Sequence, residues 1–198
     1  MRVHVVHAHP VESSFNRALF HTVTETLAAA GHEVDALNLY DDGFDAVLSR
    51  EERLNYHEIP GNLTQAVAPY VDRLRQAEGI VYVFPVWNYG FPAILKGYFD
   101  RVFLPGVSFR MSEGGDRGKL EPALTNIRKA AYVTTYGGTR FRTMLMGDPP
   151  RKVATRWGWA TYRTPKAPEY LALYDMNNQS PEKLAAFCDR VKRSMQRF

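Results

Sequence analysis

Phe84-Pro-Val-Trp-Asn-Tyr-Gly-Phe-Pro-Ala-Ile-Leu-Lys-Gly-Tyr-Phe-Asp-Arg-Val-Phe103 is the stretch whose reading decides the fold. Before it, 79–84 is a short apolar run rich in β-branched and aromatic residues, the pattern of a strand covered on both faces. Pro85 is expected to stop that strand. Pro92 falls at the expected first helical position, where a fixed φ is suited and the missing N–H costs no hydrogen bond. Trp87 to Phe91 therefore read as a turn between a strand and an amphipathic helix over 92 to about 103. Free N–H groups in such a turn, and the partial positive charge at the helix start, favour a ligand that carries or develops negative charge.

Outward from this stretch, strand and helix signals alternate. An apolar run at 3–8 precedes a helix over 15–30, where Leu19, Val23 and Leu27 recur at helical spacing. A strand at 33–39 follows, then a polar insert at 44–62 with a short helical piece at 49–56, and a helix over 63–76. The glycine-rich 105–118 has no repeating pattern and reads as a functional excursion over the site. A strand at 129–136 is broken by Gly137-Gly138. Helix is expected over 141–157, split by Pro149-Pro150. A fifth strand at 170–175 and a last helix over 181 to about 197, capped by Ser180, complete the chain. Five strands alternating with helices predict an α/β fold, a parallel sheet with helices on both faces, as a single domain over 1–198. In such a sheet the ligand sits at the carboxyl ends of the strands, where the strand order switches.

Length and composition agree with one domain: 198 residues, 45% of them hydrophobic, supply a full core. The net charge of +4 suits an anionic cofactor without requiring nucleic acid. No basic block stands out, and Arg151-Lys152 and Arg190-Val-Lys-Arg193 read as solvated helix faces. The single cysteine, Cys188, rules out an internal disulfide framework and a cysteine-rich metal site, and no metal is expected. The first residues run straight into a strand and no apolar stretch approaches membrane-spanning length, so a cytoplasmic protein without membrane insertion is expected.

Three loops end strands one, three and four. In the first, His7-Ala-His-Pro-Val-Glu-Ser-Ser-Phe-Asn16, the serines sit where a helix start caps itself or binds phosphate, and the loop lacks both the Walker and the GxGxxG glycines. His4 and His7 read as strand residues. In the last, Thr134-Thr-Tyr-Gly-Gly138, paired glycines permit positive φ and a close approach to a planar ring.

The spacing F-P-x6-P-A-x-L-K-G-x-x-D/E-R-V-F in 84–103, with A-H-x-x-x-x-S-F-N in 8–16 and the glycine pair, resembles the NAD(P)H quinone reductases among the flavodoxin-like flavoproteins. The likeness extends over nearly the whole chain. It implies a flavodoxin-like five-stranded parallel sheet and a flavin, FMN or FAD, with NAD(P)H as cosubstrate; the chain's shortness favours FMN. Carried over, Pro85, Val86, Trp87, Asn88 and Tyr89 contact the isoalloxazine ring. His9, Ser14, Phe15 and Asn16 meet the phosphate part, and Thr135, Tyr136, Gly137 and Gly138 pass beneath the ring. The resemblance implies two-electron ping-pong hydride transfer to a quinone-like acceptor, or to an azo or nitro aromatic, in a homodimer.

One departure bears on mechanism. Mammalian-type members place a Tyr and a His shortly after the glycines for proton handling, whereas 139–158 contains neither. Tyr136, Arg140 or solvent is then expected to supply protons. Phe91 and Phe109 are expected to shape the acceptor site, with core packing or a dimer contact as the alternative. Arg140 and Arg142 meet a cosubstrate 2′-phosphate or are merely solvated, so NADH and NADPH both stay open. A second reading is a regulatory flavoprotein subunit resembling that of glutathione-gated potassium efflux systems. A one-electron flavodoxin carrier fits poorly, since such carriers are strongly acidic.

Overall fold

The computed structural model describes residues 1–111 and 119–198; part of the expected excursion, 112–118, lies outside the described residues. Along the chain run β1 (Arg2–His7), α1 (Phe15–Ala29), β2 (Glu33–Asn38), α2 (Arg50–Leu54), α3 (Ala68–Gln76), β3 (Gly79–Val86), α4 (Ala93–Val102), β4 (Phe109–Met111) and β5 (Leu120–Pro122). Then follow β6 (Lys129–Tyr136), α5 (Arg140–Leu145), α6 (Pro149–Lys152), α7 (Gly158–Tyr162), β7 (Glu169–Leu173) and α8 (Pro181–Met195). A π-helical turn, Val153–Trp157, joins α6 to α7.

Five strands form one parallel sheet in the order β2-β1-β3-β6-β7. The order reverses between β1 and β3, which places the ligand crevice of a doubly wound sheet at their carboxyl ends. β4 and β5 pair antiparallel outside this sheet.

Side chains alternate across the sheet with the period of two that strands impose. Ile80, Tyr82 and Phe84 of β3 join one core with Leu74 of α3 and Tyr98 of α4. Val81 and Val83 join the other, with Leu19, Val23 and Leu27 of α1 and Phe187, Val191 and Met195 of α8. Both faces are therefore covered.

Three local expectations are corrected. Pro85 does not stop β3, which continues to Val86 with Pro85 in register opposite Thr135 of β6. Successive residues of a parallel strand turn their backbone groups to opposite neighbours. Val83 accepts from Ala8 N–H on the β1 side, so Pro85 also faces that side, where β1 has already ended and no N–H is required. Pro92 is the N-cap of α4 rather than its first helical residue: its ψ of 144° is extended while its carbonyl accepts the first helical bond, from Lys96 N–H at 2.9 Å. The helix expected over 63–76 starts only at Ala68, because Pro69 deep inside a longer helix would remove a hydrogen bond and clash with the preceding turn.

The insert at 44–62 is fastened to α4. Gly97 has no room for a side chain, since a Cβ there would overlap the Ala46 backbone. One turn further, the buried Arg101 guanidinium pairs with buried Glu52 at 2.6 Å and also donates to the Asp45 carbonyl. Ser49 and Glu52 form a capping box that holds α2 in place for that pair.

Candidate functional site

The loop after β3 is a tight turn in which Trp87 N–H donates to the Gly90 carbonyl at 3.2 Å and Gly90 N–H donates back to that of Trp87 at 2.8 Å. Its central residues are both left-handed, with φ of 49° at Asn88 and 58° at Tyr89. That is the twist a two-residue hairpin turn demands, and Asn tolerates it better than Tyr does. The turn thus uses two of its own amides. Among the described residues, the Asn88 and Tyr89 N–H groups have no hydrogen-bond partner and stay available to a ligand.

A cavity of about 380 Å³ opens beside this turn, lined by Val86, Trp87, Asn88, Tyr89, Tyr136, Gly137 and Gly138, with Thr143 added from α5. Neither glycine has positive φ, contrary to expectation. What matters at Gly138 is the missing side chain: a Cβ would stand 3.8 Å from Thr143 Oγ1 and 4.0 Å from Tyr89 Oη, in space the cavity now occupies.

The loop after β1 adjoins this wall, with the His9 ring 5.8 Å from that of Trp87. His9 Nδ1 accepts from Val11 N–H at 3.1 Å and burial lowers the imidazole pKa, so the neutral ring carries its proton on Nε2. Ser14 caps α1, its Oγ accepting from Arg17 N–H at 3.1 Å. Phe15 turns its ring away to pack on Phe187 at 6.5 Å, leaving its backbone at the loop. Asn16 is buried, and both polar atoms of its side chain lack a partner. Behind it, both ring nitrogens of buried His7 and the Nδ2 of Asn38 are likewise unpartnered. Burial, and next the Arg17 charge, hold the His7 pKa down to about 4. Orphaned buried polar groups gathered at one helix start mark a place built for a further polar partner.

The β6 and β7 side holds a feature the sequence did not reveal. Tyr136 O–H donates to Asp148 Oδ1 at 2.7 Å, Tyr170 Oη lies 2.5 Å from Tyr136 Oη, and Tyr174 O–H donates to Asp148 Oδ2 at 3.1 Å. Tyr136 gives its one proton to Asp148 and so accepts from the Tyr170 O–H, and the chain runs from Tyr170 through Tyr136 to Asp148. Burial first, and then Tyr170, push the Tyr136 phenol far above its ordinary pKa. Tyr136 therefore keeps its proton and directs it at Asp148. An Asp before two prolines reads as a helix cap, and Asp148 does occupy that position, at a left-handed φ of 45°, yet its side chain makes no cap bond.

Some predicted residues lie apart. Thr135 is buried within β6. Arg140 is an exposed first residue of α5 and does not line the cavity beside the Trp87–Gly90 turn. Phe91 and Phe109 line a second cavity of about 810 Å³, with Phe99, Phe103 and Trp157. Among the described residues, no group of three or more His, Cys, Asp or Glu side chains is placed to hold a metal ion.

A family model described as flavodoxin-like fold matches residues 1–162. The chain belongs to that flavodoxin-like family. This flavodoxin-like chain is 31% identical over 156 residues to the ribosyldihydronicotinamide dehydrogenase-like protein traD of Penicillium crustosum, covering 70% of this chain and 58% of the relative. It is 29% identical to FMN-dependent NADH:quinone oxidoreductase 2 of Clostridium acetobutylicum, covering 59% of this chain and 58% of the relative. Among solved structures, the NAD(P)H:quinone oxidoreductase from Methanothermobacter marburgensis superposes with a TM-score of 0.82 at 25% identity, covering 99% of this chain and 96% of that one. The alignments with the two sequence relatives span 58% of each relative's length.

Proposed function

We propose that this flavodoxin-like protein is an FMN-dependent NAD(P)H oxidoreductase that passes two electrons to quinone-like acceptors. The observation that carries the reading is the meeting of three strand-end loops at one crevice: the Trp87–Gly90 turn and the Gly137-Gly138 turn wall one cavity, and the loop that leads to Asn16 adjoins it. The names of the relatives support the cosubstrate, acceptor and cofactor classes.

The residues present fit a flavin. Asn16 offers an unpartnered amide beside the start of α1, where a phosphate is favoured. Asn88 and Tyr89 offer free N–H groups that would answer negative charge on a bound flavin. Gly137 and Gly138 leave a wall free of Cβ atoms. When bound, flavin supplies hydride acceptance and two-electron storage, while the protein supplies binding, orientation and electrostatics. His9 donates from Nε2 as a neutral group. Tyr136 holds the turn in position through Asp148, and protons reach the cavity from solvent. Phe91 and Phe109 form an apolar wall for the acceptor in the neighbouring cavity.

The mass of the flavin released on denaturing the purified protein is the first test, with FMN expected, followed by steady-state NAD(P)H oxidation with a benzoquinone and an azo dye as acceptors. Flavin retained without turnover on any acceptor overturns the enzymatic reading. Gly138→Val is expected to abolish flavin retention by filling the cavity beside Tyr89; unchanged flavin absorbance after purification would refute the placement.

A further inference from the structure

His7 ends β1 and Asn38 ends β2, and the two stand side by side in the parallel register. Strand alternation turns His7 to the face of Val3 and Val5 and Asn38 to that of Val34, the face that α1 covers. The His7 ring stacks on Phe20 of α1 at 4.7 Å. Asn16, the second residue of α1, and Asn38 flank that ring. His7, Asn16 and Asn38 are only 0%, 3% and 8% exposed. Five of their side-chain atoms nevertheless lack a hydrogen-bond partner: both nitrogens of His7, both polar atoms of Asn16, and Asn38 Nδ2.

The donors and acceptors present restrict how these five atoms can be satisfied. Asn38 Oδ1 already accepts from Tyr40 N–H at 3.1 Å. Asn38 therefore offers Nδ2 protons to its remaining neighbours, His7 and the Asp41 carboxylate, which itself holds Arg17 at 2.8 Å. A neutral imidazole has one accepting nitrogen and one N–H. The first can take a proton from Asn38, and the second can then meet Asn16 Oδ1. That leaves Asn16 Nδ2 as a donor without an acceptor, at the start of a helix where an anionic oxygen is favoured.

We propose that His7 and Asn38 are positioning residues that aim the Asn16 amide at the phosphate of the flavin. Asn38 donates to His7, His7 donates to Asn16, and Asn16 donates to a phosphate oxygen. The inference rests on the FMN reading above and extends it, since neither His7 nor Asn38 belongs to the A-H-x-x-x-x-S-F-N motif. What the chain supplies is direction. Turned the other way, the Asn16 amide would present its own oxygen to the phosphate, acceptor against acceptor. The ring must also be neutral, because an imidazolium would donate on both sides and set a donor against Asn38. Burial, which holds the His7 pKa down to about 4, keeps it so.

Fluorescence titration of the full chain, freed of flavin, with FMN and with riboflavin separates this role from packing, because riboflavin lacks the phosphate. The unsubstituted protein is expected to bind FMN more tightly than riboflavin. His7→Leu should lose about tenfold or more in FMN affinity, as for a weakened charge-assisted hydrogen bond, with riboflavin affinity kept within about twofold. His7→Gln keeps a donor and an acceptor and should recover most of the loss. Asn38→Leu should also weaken FMN alone, and it tests the same chain if His7→Leu does not fold. The double variant His7→Leu/Asn38→Leu should be no weaker than His7→Leu, since members of one chain do not add. Equal losses for both flavins in His7→Leu, no loss for either, or additive losses in the double variant would make His7 a packing residue and overturn the proposal. Failure of the unsubstituted protein to bind FMN would instead overturn the cofactor reading, and the proposal with it.

Discussion

His7 sits at the end of β1 with both ring nitrogens unpartnered and its pKa held down to about 4. Its ordinary value is 6.5. Between those values the unfolded chain takes up a proton that the folded chain refuses, so protonation favours unfolding and stability falls as pH drops from 6.5 towards 4. The loss amounts to about 3 kcal/mol once fully developed and levels off below the folded pKa. Urea denaturation followed across this range should show that slope, and His7→Leu should flatten it; an equal slope in both proteins would rule His7 out as the cause. At this scale the sequence was partly legible. His9 and Asn16 stand out in the sequence by their motif, and the structure sets them in the loop after β1 and at the start of α1, while His7 lies in β1 as its run of residues implies. What its ring faces depends on where Asn16 and Asn38 lie, which residue type does not state. Asp148 was missed because its tyrosine partners are distant in sequence and its place before two prolines has an ordinary capping explanation.

Among the elements, α4 shows how a short motif encodes packing. In Lys96-Gly97 the glycine admits the Ala46 backbone, and Arg101 then closes on Glu52. Gly97→Ala should destabilise the protein by about 1–3 kcal/mol, since overpacking forces the insert away from the helix. Greater intrinsic helix propensity of alanine predicts the opposite sign, so the urea midpoint decides between packing and propensity. The five sheet strands are all legible from their apolar runs, with no end displaced by more than two residues. Proline positions were read less well. In the sequence Pro85 reads as a stop, because its effect depends on whether a neighbouring strand is still present, and Pro92 reads as a first helical residue, because only ψ separates that position from the cap. The glycines after β6 were expected at positive φ, and their use is instead the absence of a side chain.

For the molecule as a whole, the family resemblance leads us to expect a homodimer. Leu54, Ile59, Met111 and Leu120 are exposed large apolar residues, and Leu120 lines the aromatic cavity of Phe91 and Phe109. Light scattering should give about twice the chain mass of 22.6 kDa, and Leu120→Glu should shift the population to monomer. A stable monomer with full activity would contradict this. The fold class followed from alternation alone, but the charge distribution did not. The seven cations of 140–166 are dispersed among apolar and turn residues, and only the folded chain shows that all seven are exposed.

The sheet ends in steps. β1 stops at the level of Val83, while β3 and β6 rise past it to Val86 and Tyr136, leaving a ledge beside Pro85. A ledge is made by differences in strand length, so its height is set by counting residues and not by their chemistry. Substitutions along 85–89 can vary widely while the step keeps its height. An insertion that lengthened β1 by one pleat would fill the step, and the crevice would disappear with every lining residue still in place.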